Sequence, residues 1–144
     1  MIKKLKPGDI TDNQKLQYIF KCSARGGMRR SHRTNSLVLI SDYTNALYED
    51  RWINDVFHYT GMGSLGDQSL TFYQNKTLAE SPINGVDLYV FEVFEPRQYV
   101  FIGQVELFRK PYLESQPGET GEVRKVWVFP LKLKNKYPDE NEYL

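Results

Sequence analysis

Apolar positions along this chain fall into short blocks whose spacing alternates between helical and strand-like. Thr11-Asp12-Asn13-Gln14 has capping-box spacing, and Leu16, Ile19 and Phe20 follow on one helical face. This predicts a short helix closed near Gly26-Gly27. Residues 36–41 form a compact apolar run, expected as a buried strand. Residues 42–54 read as a loop, with Tyr43, Tyr48 and Trp52 set among acids and asparagines. Over 55–60, Asp55, Phe57 and Tyr59 share one strand face and Val56, His58 and Thr60 the other. Gly61, Gly63 and Gly66 then break the backbone, and Asp67 is placed to cap a helix through about Leu78. After a turn at 82–85 come two strong strands, 86–94 and 98–108, connected at Pro96. A loop over 111–121 leads to a last strand, 123–133. The sum is an α+β fold, a strongly curved sheet or open β-barrel with two flanking helices.

At 144 residues the chain is one domain by length, expected over 1–137, with 138–144 as a polar tail or linker to a missing downstream domain. The 14% aromatic content favours strands. No apolar run approaches the roughly 18 residues that span a bilayer, and the lysines near the start precede no hydrophobic stretch, so a cytoplasmic protein is expected. A single cysteine, Cys22, excludes an internal disulfide and any multi-cysteine zinc site. Net charge is +1, but it is polarised: Lys21, Arg25, Arg29, Arg30 and Arg33 fall in a run without an acid. Such a run is commonly a solvated loop. Gly26 and Gly27 inside it also let backbone amides approach a phosphate.

Enzyme motifs are missing. His32 and His58 have no second histidine at metal spacing, and Glu92-Val93-Phe94 and Glu106-Leu107-Phe108 lack the lysine of a carboxylate-plus-lysine nuclease. The glycines at 61, 63 and 66 carry no Gly-Lys-Ser/Thr and are not flanked by βαβ units. Neither a catalytic residue, a metal nor a cofactor is expected.

Three ordered blocks instead resemble the SRA (SET- and RING-associated, or YDG) family of modified-cytosine readers. The first is Tyr48-Glu49-Asp50 with Phe57-His58-Tyr59-Thr60-Gly61-Met62-Gly63; the second is Asp67-Gln68-Ser69-Leu70-Thr71 with Asn75 and Leu78. The third is Tyr99-Val100-Phe101-Ile102-Gly103 with Val126-Trp127-Val128-Phe129-Pro130-Leu131. The resemblance implies a PUA-like barrel that binds double-stranded DNA and flips a 5-methyl- or 5-hydroxymethylcytosine into a pocket. Tyr48 and Tyr59 match the aromatics that sandwich the base, Asp50 the acid that accepts from its exocyclic amine, and Thr60 and Gly61 the lining near the modified carbon.

Tyr48 and Tyr59 stand one residue closer than the family pattern. Asp55 is therefore an alternative acid, and Trp52 an alternative wall. Tyr59 on an alternating strand also fits a core position. Arg25, Arg29, Arg30 and Arg33, with Ser64 in the 61–66 loop and Lys76, are the candidate backbone contacts. The resemblance further implies a bacterial modification-dependent (type IV) restriction system, with cleavage supplied by a fused or associated HNH-type nuclease. The competing reading is an RNA-binding PUA-like domain using the same basic run and aromatics.

Overall fold

A computed structural model describes residues 1–45 and 47–134. The expected tail at 138–144 and the domain end at 137 lie outside these residues. The described chain is α+β. It forms one open nine-stranded sheet in the order β2-β3-β6-β7-β9-β5-β4, with β1 beside β7 and β8 beside β9. The strands are β1 (Ile10–Thr11), β2 (Met28–Ser31), β3 (Ser36–Asp42), β4 (Arg51–Ile53), β5 (Val56–Thr60), β6 (Asp87–Glu95), β7 (Gln98–Leu107), β8 (Tyr112–Pro117) and β9 (Val123–Leu133). The helices are α1 (Asn13–Phe20), α2 (Gln74–Ala79) and α3 (Ser81–Asn84). No helix among the described residues is long and apolar enough to cross a membrane.

Alternation along β3 explains its continuous apolar sequence. Leu37 and Leu39 enter one core with Phe57, Tyr59, Leu78, Phe129 and Leu131. Val38 and Ile40 enter a second core, where Leu16 and Phe20 of α1 meet Phe91, Val93 and Phe101. A strand buried on both faces has no polar parity. Curvature comes from β6 and β7, whose register shifts between Val90 and Phe91. Gly103 sits there at φ +140°, where a side chain would be strained and its Cβ would come 3.0 Å from Leu133.

Several sequence expectations give way. Asp67 caps no helix: its carboxylate accepts from the Lys125 amide at 2.8 Å, and α2 starts only at Gln74. At α1 the cap is Asp12, which accepts from the Lys15 amide at 2.8 Å. The 42–54 and 111–121 "loops" contain β4 and β8. β8 has no strand beyond it, so its terminal Pro117 costs no ladder bond.

β3 and β6 run parallel, so the chain between them must cross over the sheet. That crossover carries β4, β5, α2 and α3, and with them nearly every residue the sequence singles out.

Candidate nucleic-acid interface

The site forms where β3 and β5 end and β8 turns into β9. Asp50 enters it just ahead of β4. One of its carboxylate oxygens accepts from the Thr60 amide at 2.7 Å and the other from the Ser41 hydroxyl at 2.7 Å. These bonds fix the carboxylate between two strands that are not sheet neighbours. Burial pushes its pKa up to about 6, although the Thr60 amide and Ser41 hydroxyl oppose the shift. Thr60 is itself buried, and its hydroxyl accepts from Gln116 Nε2 at 3.1 Å. Gln116 also accepts from the Glu49 amide, and donates to Glu114, which forks onto Arg51.

Tyr48 is half-buried. Its hydroxyl is held above the ordinary phenol range by burial, against the pull of Arg124, whose guanidinium lies 5.9 Å from its ring centroid. Tyr59 is more deeply set than a stacking wall requires. It is 3% exposed, tilted against Phe57, and its hydroxyl donates toward the Gly27 and Ile40 carbonyls at 2.9 and 3.0 Å. It is part of the first apolar core. Beside Tyr48 and Asp50 a cleft of about 400 Å³ opens between Asn45, Leu47 and Glu49 on one side and Pro117, Gly118 and Glu119 on the other.

The glycine-rich segment after β5 is held by side chains, not by helix formation. Gly61 continues the ladder by donating to the Trp127 carbonyl, and Gln68 resumes it with Lys125 and Trp127. Gln68 Nε2 also donates to the Gly61 and Gly63 carbonyls. Asn75, fully buried, accepts from the Met62 amide and donates to the Met62 and Ser69 carbonyls. A Cβ on Gly61 would come 2.8 Å from Asn75 Oδ1 and 3.1 Å from Phe129, so this position needs glycine. The segment between these anchors bulges outward and exposes Leu65.

Several expected site residues lie elsewhere. Asp55 sits in the β4–β5 turn, pairs with Lys132 at 3.5 Å, and is the length of β5 (about 17 Å at ~3.3 Å per residue) from Thr60. Asp50, not Asp55, is therefore the acid beside Tyr48. Asp55→Ala is accordingly expected to leave nucleic-acid binding within twofold of wild type in an anisotropy titration, and a larger loss would put the acid of the site at Asp55. Trp52 is no free wall: it stacks on Phe57 at 4.9 Å, and its indole donates to Glu92 at 3.0 Å. Arg29 is 5% exposed and bonded to Gly26 and Asn13, while Arg30 binds Ser31, Asn35 and Ser36. Arg29 is buried, and the Arg30 guanidinium is engaged at both terminal nitrogens. Arg33 is exposed, but in the turn at the opposite end of β3. Arg25 next to Gly26-Gly27, Ser64 in the bulging loop and Lys76 beside Asn75 stay at the site's end of the sheet.

Glu92, weighed in the sequence only for a nuclease motif, and Gln116 and Arg124, not singled out there, are buried polar residues. Their signal was parity. Glu92 interrupts an apolar strand, and Arg124 shares the inward face of β9 with Val126 and Val128.

The model of the ScoMcrA-like SRA domain family matches residues 7–141. Among solved structures, the chain resembles the sulfur-binding and SRA domains of ScoMcrA complexed with phosphorothioated DNA (TM-score 0.73, 19% identity), covering 97% of this chain and 44% of that one. It likewise resembles the SRA domain of SUVH5 complexed with methylated CHH DNA (TM-score 0.65, 20% identity, 94% and 92% covered). A third is the modification-dependent TagI restriction endonuclease (TM-score 0.65, 18% identity, 99% and 53% covered). The chain thus spans less than half of the ScoMcrA polypeptide it matches. No curated protein sequence matches it. At these identities the likenesses establish the fold, and the family match over nearly the whole length establishes membership: the chain belongs to the ScoMcrA-like SRA domain family.

Proposed function

We propose that this domain binds duplex DNA carrying a modified cytosine, 5-methyl- or 5-hydroxymethylcytosine, and receives the flipped base beside Tyr48 and Asp50. The observation that carries the reading is the Asp50 carboxylate, anchored through both oxygens next to an aromatic ring in an SRA fold. A fixed carboxylate accepts from the exocyclic amine of cytosine and repels the carbonyl that thymine has in its place. Tyr48 stacks on one face of the base, with Tyr59 as the floor on the other side. Stacking of roughly 1–3 kcal/mol helps offset an unstacking cost of a few kcal/mol. Leu65 is the apolar side chain placed to fill the vacated step, and Arg25, Ser64 and Lys76 contact the backbone. The reading is supported by the SUVH5 and ScoMcrA structures, both complexes with modified DNA. The domain itself is a recognition module, with cleavage in a fused or associated HNH-type nuclease of a cytoplasmic bacterial restriction system.

The test is anisotropy binding to matched duplexes carrying cytosine, 5-methylcytosine or 5-hydroxymethylcytosine at one near-physiological salt concentration. A modified duplex is expected to bind more tightly, and Tyr48→Ala to lower that affinity roughly 10- to 100-fold, in line with about 1–3 kcal/mol of stacking. Equal affinity for all three duplexes, or tighter binding to single-stranded RNA, would reject the reading.

A further inference from the structure

Arg124 is 3% exposed, yet its Nε and Nη2 atoms are buried with no hydrogen-bond partner among the described residues. Its Nη1 donates to the Gly63 and Gly66 carbonyls at 2.5 and 3.1 Å. The ion pairs of the described residues are Arg51–Glu114 and Lys132–Asp55, so none of them includes Arg124. A buried guanidinium is stable only when its donors meet acceptors. Here the half that holds the loop is satisfied, and the Nε–Nη2 edge, the side-on fork of arginine, is not. Holding two carbonyls does not require a fork. What the arrangement leaves over is a planar pair of donors near Tyr48, whose ring centroid lies 5.9 Å from the guanidinium, with Nε packed against Gly118 of the neighbouring cleft wall.

We propose that Arg124 is a specificity-determining residue of the pocket, its free Nε–Nη2 edge donating to the adjacent O2 and N3 acceptors of the extruded cytosine while Asp50 takes the amine. This rests on the base-pocket reading above. Cytosine presents donor, acceptor, acceptor along that edge, and a carboxylate plus an arginine fork complement all three. Thymine fails at both ends: its O4 faces Asp50 and its N3–H faces the fork. A backbone phosphate fits poorly, because Glu49 and Glu119 line the adjacent cleft. Gln116 lies directly across the β8–β9 ladder from Arg124 and ties that strand pair to Thr60, so the fork and the carboxylate share one rigid frame.

The ligand-side experiment needs no variant. Binding of the full chain is compared on a 5-methylcytosine duplex and on one carrying the matching methylated 2-aminopyridine C-nucleoside, which keeps the amine and ring nitrogen but lacks O2. Wild type is expected to lose at least 10-fold on the O2-less duplex, Arg124→Gln to bind the two duplexes equally, and Arg124→Lys to recover no discrimination between them. Wild-type binding within twofold on the two duplexes overturns the assignment. So does an Arg124→Gln variant that weakens both by the same factor, which marks a loop-holding role only. A wild type that does not prefer 5-methylcytosine over cytosine in the same assay defeats the pocket reading itself, an outcome distinct from either.

Discussion

Asp50→Asn is expected to make the domain more stable at pH 8 and at the same time 10- to 100-fold weaker on a modified duplex. Folding raises this carboxyl from its ordinary 3.8 to about 6 by burial. Between those values the folded chain holds a proton that the unfolded chain has released. The corresponding stability is fully present below the unfolded pKa and is lost as pH rises through 6. At pH 8 the ionised carboxylate therefore costs about 3 kcal/mol relative to its protonated form. Asparagine removes that cost, keeps an oxygen for the Thr60 amide and gives up the charge-assisted bond from Ser41. A net gain of about 1–2 kcal/mol, or roughly 3–6 °C in Tm, is expected. Binding moves the other way, because an amide is a weaker acceptor than a carboxylate and its NH₂ end repels the cytosine amine. Loss of a charged hydrogen bond of ~1.5–3 kcal/mol gives the stated fold-change. Wild-type affinity should correspondingly be flat above pH 7 and fall as the carboxyl takes up its proton below 6. Thermal melts and anisotropy at pH 5, 6, 7 and 8 check both halves, and a variant less stable than wild type at pH 8 would mean that the Ser41 bond outweighs burial.

Asn75→Ala is expected to be the most damaging single change at the site. It strands the Met62 amide and the Met62 and Ser69 carbonyls, and opens a void against Phe129 and Gly61. With about 1–3 kcal/mol for each stranded buried group, partly relieved by entering water, a loss of about 3–4 kcal/mol follows. That corresponds to a Tm lower by roughly 10 °C in urea-free buffer. The loop carrying Gly63 and Leu65 should exchange its amides much faster, while β3, β6 and β7 keep their protection. Hydrogen exchange separates this local loosening from global unfolding, and unchanged exchange over 61–69 would remove Asn75 from its role as anchor.

The two variants act through residues of the first and second motif blocks, and this is where the sequence was most informative. Asp50, Thr60, Gly61, Gln68 and Asn75 were legible as a group because their motif blocks keep the residue types and spacings of the SRA family. The strong strands of 86–94, 98–108 and 123–133 were legible for a simpler reason: apolar parity is a property of neighbouring residues. β4 and β8 were not, since short edge strands bury only one side and tolerate proline and charge. The helix expected from Asp67 failed because its polar groups found partners on β9, far away in the chain.

Legible in the residues alone are the family, the curved α+β sheet and an acid between two tyrosines. Local pattern and motif order suffice for these. Folding alone separates Asp50, which accepts from Thr60 at the end of β5, from Asp55, which precedes the start of that strand. It also decided that Trp52, Arg29 and Arg30 are committed to internal bonds. And it alone left Arg124 buried with an open donor edge. Each of these depends on which long-range partner a polar group meets, and a buried polar group takes the acceptor that folding brings to it, not the one its neighbours in sequence suggest.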